Sequence, residues 1–239
     1  GLYNPANLGP EGQALAHAFE NMGDTESNFH TRFPNFRVYI PELLRVRNTG
    51  EPYISFNPAY TSGKASLIIG AIDKRGLLER ITRACYLHNI NVESAEIYTT
   101  GNAEYPRELK LGLGFDIFNL DISELRDVNG FLGQLEDIIQ ERREIEIREK
   151  PVAILRAVEY DSVLKPAHYD GGYILIGDSR DEKGVLWSVC SLLSNQLQAN
   201  ITEASGGTAP YTHRVKRIIA FNSQLPKDQL VAAHREHLT

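Results

Sequence analysis

The pattern of apolar and polar positions occurs twice along the chain. Short apolar runs of strand length end at Asp73 and Asp178, and each is followed by a charged turn and a glycine, Gly76 or Gly184. After each glycine, apolar residues recur at the spacing of one helix face. The matched positions are Leu77, Leu78, Ile81, Ala84 and Cys85 and, 108 residues later, Val185, Leu186, Val189, Leu192 and Leu193. This self-similarity indicates two copies of one structural unit.

The remaining predicted elements follow the same order in both copies. The second strands begin at Asn91 and Asn200, the third strands span 114–120 and 217–222, and the second helices span 131–139 and run from Pro226 toward Leu238. A closing strand at 152–158 completes the first copy. The order predicts an α+β protein with two ferredoxin-like βαββαβ domains.

These elements divide the 239 residues into four segments. Residues 1–60 form a helical and irregular lead-in, with a helical pattern at 11–22, a turn of helix from Pro41, and an extended stretch at 51–56. Residues 61–160 form the first domain, 161–171 a linker, and 172–239 the second domain. The Gly, Pro and Asn content of the lead-in leaves it little core of its own, so we expect it to pack on the first domain.

The composition excludes several classes of function. A formal net charge of -6 and a pI of about 5.7 argue against a broad surface for nucleic acid or anionic membrane. No stretch approaches the roughly 18 apolar residues of a membrane span. The two cysteines, Cys85 and Cys190, form no paired motif, which favours a reducing, cytoplasmic location without a disulfide framework.

The turn from Asp73 to Leu78 has the physical properties of a small-molecule site. A helix N-terminus presents unpaired N–H groups and partial positive charge, which attract a carboxylate, and Gly76 permits close approach of the backbone. Asp73 is placed to attract an ammonium group or to cap the helix. Asn91 can donate and accept hydrogen bonds, and would complete the site from a neighbouring subunit. The alternative is that Asp73 and Gly76 are ordinary turn and cap residues.

The second copy departs from this pattern. Asp178 follows Asp73 by 105 positions, whereas Gly184 follows Gly76 by 108, so the second turn is predicted to be three residues longer. We therefore expect an altered or lost second site and a primary site in the first copy. Trp187 aligns with Glu79, which suggests that this face of the second copy is covered by the other repeat, a dimer partner or the lead-in. The alternative is a partly exposed tryptophan without a partner.

The segment from Asp73 to Thr100 resembles an ACT domain. It begins with D-K-R-G-L-L, continues as a helix and then N-V-E-S-A, and closes with a strand that ends in T-T. It resembles the ACT domains found in tandem in bifunctional uridylyltransferase/uridylyl-removing enzymes, and residues 33–39 resemble the lead-in of those repeats. The resemblance implies a regulatory module that binds an amino acid, with glutamine as ligand and the PII signalling protein as downstream target. The candidate ligand-binding residues are Asp73, Lys74, Arg75, Gly76, Leu77, Leu78, Asn91, Asp178, Gly184, Val185 and Asn200.

No catalytic residue, metal site or cofactor is predicted. His234 and His237 lie three apart, but no further ligands complete a metal set. The glycine pairs 171–172 and 206–207 lack the spacing of a phosphate-binding loop. We predict a noncatalytic amino-acid-binding module in nitrogen or amino-acid metabolism, acting as a homo-oligomer or through a regulatory protein or catalytic domain. The alternatives are a regulatory fragment of an enzyme such as a dehydrogenase, and a protein-interaction adaptor without a ligand.

Overall fold

The computed structural model describes residues 7–20, 33, 35–59, 61–100, 112–167, 172–208 and 211–239. These residues form a mixed α+β structure around one antiparallel sheet of eight strands. The strands are β1 Tyr53–Ala59, β2 Lys64–Ile72, β3 Asn91–Thr99, β4 Leu113–Asp121, β5 Asp161–Pro166, β6 Gly172–Arg180, β7 Ala199–Thr208 and β8 Arg214–Ser223. The helices are α1 Gly9–Glu20, α2 Ile40–Thr49, α3 Leu77–Leu87, α4 Val128–Ile139, α5 Pro151–Ala157, α6 Val185–Asn195 and α7 Lys227–His237, with a 3-10 turn at Phe36–Tyr39.

The strand order β1-β2-β4-β3-β7-β8-β6-β5 joins two equivalent halves at the centre of the sheet. Strand β3 of the first repeat pairs antiparallel with β7 of the second, with Ile97 opposite Ala204. From β1 to the start of β3, each element begins 108 residues before its counterpart in the second repeat. The predicted pair of ferredoxin-like domains is therefore confirmed. Because β3 and β7 pair with each other at the centre of the sheet, neither leaves its backbone N–H and C=O groups exposed there as an edge strand would.

The outer edge strand of each repeat differs from the prediction. It comes before the rest of the repeat, as β1 or β5, and forms a hairpin with β2 or β6. The closing strand predicted at 152–158 is wrong, since this stretch is helix α5. Pro151 opens that helix, where its missing N–H costs nothing, and buried Leu155 faces the core. The linker predicted from residue 161 begins instead with strand β5.

One face of the sheet carries the main core. Alternate residues of β2, such as Leu67 and Ile69, belong to one buried cluster with residues of helices α3 to α7, as expected when one face of a strand is buried. The two long helices that follow the glycine turns, α3 and α6, pack against each other across the repeat boundary. The helical periodicity at 77–87 and 185–195 therefore predicted both elements correctly.

The N-terminal segment covers the opposite face of the first repeat. Helices α1 and α2 bury an aromatic and aliphatic cluster that includes Phe19, Leu43 and Phe115. Gly70 on β2 allows this approach, because a Cβ there would lie 2.7 Å from Leu43 Cδ2. The extended stretch predicted at 51–56 is strand β1, so it belongs to the sheet itself rather than to a separate lead-in.

Helix α7 is held over the second repeat by a buried polar contact. Ser162 Oγ donates to the carbonyl oxygen of Leu238 at 2.5 Å and lies 2.9 Å from His234 Nε2. Burial lowers the pKa of His234.

Among the described residues, no helix combines the length and hydropathy that a membrane crossing requires.

Candidate functional site

Two crevices lie between the repeats, one at each glycine turn. The two crevices are equivalent under the internal repeat, because each is built from the turn of one copy and the start of an inner strand of the other. The first contains the Asp73–Gly76 turn and Asn200 of β7, and the second contains the Asp181–Gly184 turn and Asn91 of β3.

The first turn is shaped by its backbone. The Asp73 amide donates to the carbonyl of Gly112 at 2.8 Å, which anchors the end of β2. Gly76 has φ 87°, in the left-handed region that side chains with a Cβ rarely adopt, and α3 begins at the next residue. The helix therefore starts directly after Gly76, as the sequence predicted, and residues of the second repeat lie beside this turn.

The space beside this turn is small and is lined by residues of both repeats. It measures about 20 Å³, enough for one water-sized group. The second repeat contributes Asn200, whose Nδ2 lies 3.5 Å from Asp73 Oδ2, and Ser194, whose Oγ lies 3.4 Å from where a Cβ on Gly76 would be. A ligand group in this space would therefore contact both repeats.

Two carboxyl groups meet at this crevice. Burial raises the pKa of Asp73 to about 6, and the Asn200 amide and Arg80 only partly offset that effect. Asp116 on β4 is 2% exposed, and its pKa is raised well above the ordinary value by burial and by the negative charge of Asp73. Within the described chain, Asp116 Oδ1 accepts no hydrogen bond. The crevice therefore has an unsatisfied acceptor in a site that favours positive charge.

Basic side chains flank the outer side of the turn. Lys74 Nζ lies 3.1 Å from Glu141 Oε2, and Arg80 Nη1 lies 3.5 Å from Glu141 Oε1. Arg80 Nε and Nη2 are buried and have no hydrogen-bond partner among the described residues. Arg75, which was also predicted to bind ligand, is exposed and does not line the crevice.

The second crevice corrects the alignment made from sequence. Asp178 lies within β6, where it pairs with Arg214 at 2.6 Å, away from the turn. The counterpart of Asp73 is Asp181, whose amide donates to His213 in the same way and whose Oδ1 lies 3.4 Å from Asn91 Nδ2. The two turns are therefore equally long, and the predicted three-residue extension is wrong. The error arose because the apolar run in the second copy ends three residues before its strand does.

Aromatic side chains cover the second crevice. Tyr86 of α3 stacks on Trp187 of α6, with ring centroids 5.4 Å apart and planes 8° from parallel. Trp187 Nε1 donates to Glu79 Oε1 at 3.1 Å, and Glu79 also accepts from Arg83. The prediction that the face of Trp187 is covered is confirmed, and the covering element is the other repeat.

The remaining candidate residues divide between the crevices and the core. Leu77 and Leu78 are buried and line the first crevice, whereas Val185 is fully buried and lines neither. Gly184, with φ 87°, and Asn91 line the second crevice. Asn91 therefore lines a crevice of its own chain, and its contribution to the site of a neighbouring subunit stays a prediction.

The two cysteines are buried, as the alignment of Cys85 with a helix stripe indicated. Burial raises the pKa of the Cys85 thiol to about 12 and also raises that of Cys190. The thiolate needed for nucleophilic attack is therefore strongly disfavoured at neutral pH. In the described ranges, no group of three His, Cys, Asp or Glu residues is arranged to hold a metal ion.

Sequence reasoning missed Asp116, Asp181 and Tyr86. Asp181 could have been found by applying the 108-residue offset to Asp73. Asp116 lies in an apolar strand, where a lone acidic residue among buried neighbours is itself a signal of special chemistry. Tyr86 gave no signal, because its importance depends on the packing of α3 against α6.

The raised pKa of Asp73 predicts a pH dependence of stability. Its carboxyl holds a proton more tightly in the folded state, so the stability it supports is complete below pH 3.8 and is lost as pH rises through about 6. The free energy of unfolding of the wild type should therefore fall by up to about 3 kcal/mol as the pH rises across this range, and Asp73→Asn should abolish that decrease. Urea unfolding of wild type and variant across this range checks it. Asp228→Asn, at the exposed start of α7, is the control, and parallel profiles for wild type and Asp73→Asn would contradict the assignment.

Comparison with known proteins identifies the first repeat. Residues 65–128 match the model of the ACT domain. An ACT domain is found here. The matched segment runs from β2 of the ACT domain to the start of α4 and includes the first turn, Asn91 and Asp116. The match concerns the domain and not the uridylyltransferase family, so that part of the resemblance stays a prediction.

Two solved structures are similar at low identity. One is the crystal structure of aspartate kinase from Synechocystis, at 13% identity and a TM-score of 0.39, covering 73% of this chain and 26% of that one. The other is an unknown protein from Galdieria sulphuraria, at 17% identity and a TM-score of 0.27, covering 73% of this chain and 90% of that one. The chain thus spans about a quarter of the length of the aspartate kinase. None of the curated proteins matches the chain.

Proposed function

We propose that this chain is a noncatalytic regulatory module that binds an amino acid in the first crevice. The observation that supports it is the composition of that crevice, where the helix N-terminus after Gly76 meets Asp73, Asp116 and Asn200. An amino acid carries a carboxylate and an ammonium group, and these are the two charges that a helix N-terminus and a carboxyl pair attract.

The position of the crevice supports a role in signalling. Its walls come from α3 of the ACT domain and from α6 and β7 of the second repeat. Because the present space is about 20 Å³, a complete amino acid fits only if the repeats separate or if most of the ligand stays outside. A ligand that binds one arrangement more tightly shifts the population toward it. A partner protein or attached domain would read that change.

Glutamine is the first ligand to test. The sequence of the first repeat resembles the ACT repeats of uridylyltransferase/uridylyl-removing enzymes, and this resemblance supports glutamine sensing in nitrogen metabolism. Under this proposal the module acts with a regulatory protein or a catalytic domain, or as a homo-oligomer.

The proposal is tested by thermal denaturation with a panel of amino acids that includes glutamine. A ligand that binds only the folded state raises its stability by about 2.7 kcal/mol at a hundredfold excess over its Kd. We expect one member of the panel to raise the melting temperature selectively. An absence of any shift would contradict the proposal and favour a ligand-free adaptor.

A single substitution should locate the binding site. Ser194→Tyr places in the first crevice the residue type that Tyr86 supplies to the second, since the two positions are 108 apart. We expect this variant to fold and to lose the ligand-induced shift. Asn195→Tyr, on the exposed next position of α6, is the matched control and should keep the shift. Retention of the full shift by Ser194→Tyr would place the ligand elsewhere.

A further inference from the structure

The two crevices carry opposite charges at equivalent positions. On β4, Asp116 pairs with Ile69, and on β8, Arg217 pairs with Gly177, which follows Ile69 by 108 residues. Both side chains are buried, at 2% and 7% exposure, and each lines its own crevice. The repeat therefore places an acid in one site and a base in the other.

The second crevice already holds its own cationic group. The Arg217 guanidinium attracts Asp181, and its aliphatic stem lies over Gly206, where a Cβ would be 2.7 Å from Arg217 Cγ. The ring of Tyr86 lies 2.6 Å from where a Cβ on Gly184 would be. These side chains leave about 10 Å³ in this crevice.

The first crevice has the same turn without those occupants. Ser194 replaces the bulk of Tyr86, and Asp116 replaces the charge of Arg217. The remaining space, about 20 Å³, suits a group the size of water or ammonium. Asp116 lines this space, and its buried Oδ1 has no hydrogen-bond donor among the described residues.

We propose that Asp116 selects a primary ammonium group as the occupant of the first crevice, and that Arg217 excludes such a group from the second. The chain then binds one ligand, with its ammonium between Asp116 and Asp73. The identification of that ligand as an amino acid rests on the proposed function; the selection of an ammonium group by Asp116 does not.

Binding is expected to release a proton. Burial and the negative charge of Asp73 raise the pKa of Asp116 above its ordinary value, whereas an ammonium group beside it favours the carboxylate. The other charged or titratable groups around it are Asp73 and Lys74 in the turn, Glu79 and Arg80 on α3, and Cys190 on α6. The proton leaves to the solvent, so affinity should rise with pH until Asp116 ionises in the free protein.

The test uses methylammonium as the simplest probe. The amino acid that stabilises the protein and its deaminated analogue are measured in parallel, and for glutamine the analogue is glutaramate. Binding is measured by ¹H–¹⁵N NMR titration and calorimetry. We expect methylammonium to shift the amide signals of Gly76 and Tyr98, and Asp116→Asn to weaken binding roughly 10- to 100-fold. Asp178→Asn, outside the crevice, is the matched control and should bind as wild type does.

Different results would overturn different statements. Equal binding of the amino acid and its deaminated analogue, or unchanged affinity in Asp116→Asn, would overturn the ammonium assignment while leaving amino-acid binding intact. Binding of methylammonium without any amino acid would overturn the proposed function alone, and no binding of either probe would overturn both. If Asp116→Asn fails to fold, the titrations of the wild-type protein decide, because unshifted amide signals of Gly76 and Tyr98 with methylammonium, or equal affinity for the deaminated analogue, contradict the proposal.

Discussion

Replacing Trp187 by alanine is expected to lower the free energy of unfolding by about 3–5 kcal/mol. The indole is 6% exposed, stacks on Tyr86 and donates to Glu79, so its loss opens a cavity at the boundary of the two repeats. Chemical denaturation followed by circular dichroism measures the effect. Fluorescence is unsuitable, since Trp187 is the single tryptophan of the chain.

Two companion variants separate packing from hydrogen bonding. Trp187→Phe keeps a ring against Tyr86 but removes the N–H donor, and Glu79 still accepts from Arg83. We expect it to lose about 1–2 kcal/mol. Val38→Ala, at a position 46% exposed, should change stability by less than about 0.5 kcal/mol. Equal losses in Trp187→Ala and Trp187→Phe would show that the hydrogen bond, and not the stacked ring, holds the repeats together.

Replacing Gly184 by alanine is expected to cost about 2–4 kcal/mol. The left-handed backbone at φ 87° penalises a Cβ by about 1–2 kcal/mol, and the new atom would lie 2.6 Å from the ring of Tyr86. Urea unfolding measures the loss. The variant should also disturb the stacking of Tyr86 on Trp187, because the ring must move to admit the methyl group.

Gly76→Ala is the matched control, because it shares φ 87° but meets only Arg80 Nη1 at 3.2 Å and Ser194 Oγ at 3.4 Å. It should lose only the backbone contribution, about 1–2 kcal/mol. Gly133→Ala, in helix α4 with nothing within 4 Å, should instead gain about 0.5–1 kcal/mol. Identical losses at Gly76 and Gly184 would mean that Tyr86 does not fill the second crevice.

Much of the fold could be predicted from the sequence because local patterns of apolar residues determine most of its helices and strands. The helix stripes at 77–87 and 185–195 and the strands that precede them depend on apolar spacing, which neighbouring residues along the chain fix. The pair of ferredoxin-like units follows from the recurrence of that spacing. The stretch 152–158 was assigned wrongly, since a short apolar run suits either a buried strand or a helix, and its packing on α6 decides between them.

The candidate site was only partly predictable. The first turn, with Asp73 and Gly76, has its own local pattern, and the left-handed φ of Gly76 follows from that pattern. Asp116 comes from a strand 43 positions after Asp73, and the two side chains meet only because β4 pairs with β2. The placement of Asp178 failed because hydrophobicity alone did not show where β6 ends.

Local patterns in the sequence specify the two repeats, their glycine turns, the helices that follow those turns and the inner strands, because these depend on residues close together in the chain. The repeats share one sheet through β3 and β7, and this pairing of distant strands sets the turn of each copy against the inner strand of the other. That pairing gives the first crevice two carboxyl groups and gives the second Arg217 and Tyr86. The difference between the crevices therefore arises from contacts between distant residues, which no local pattern encodes.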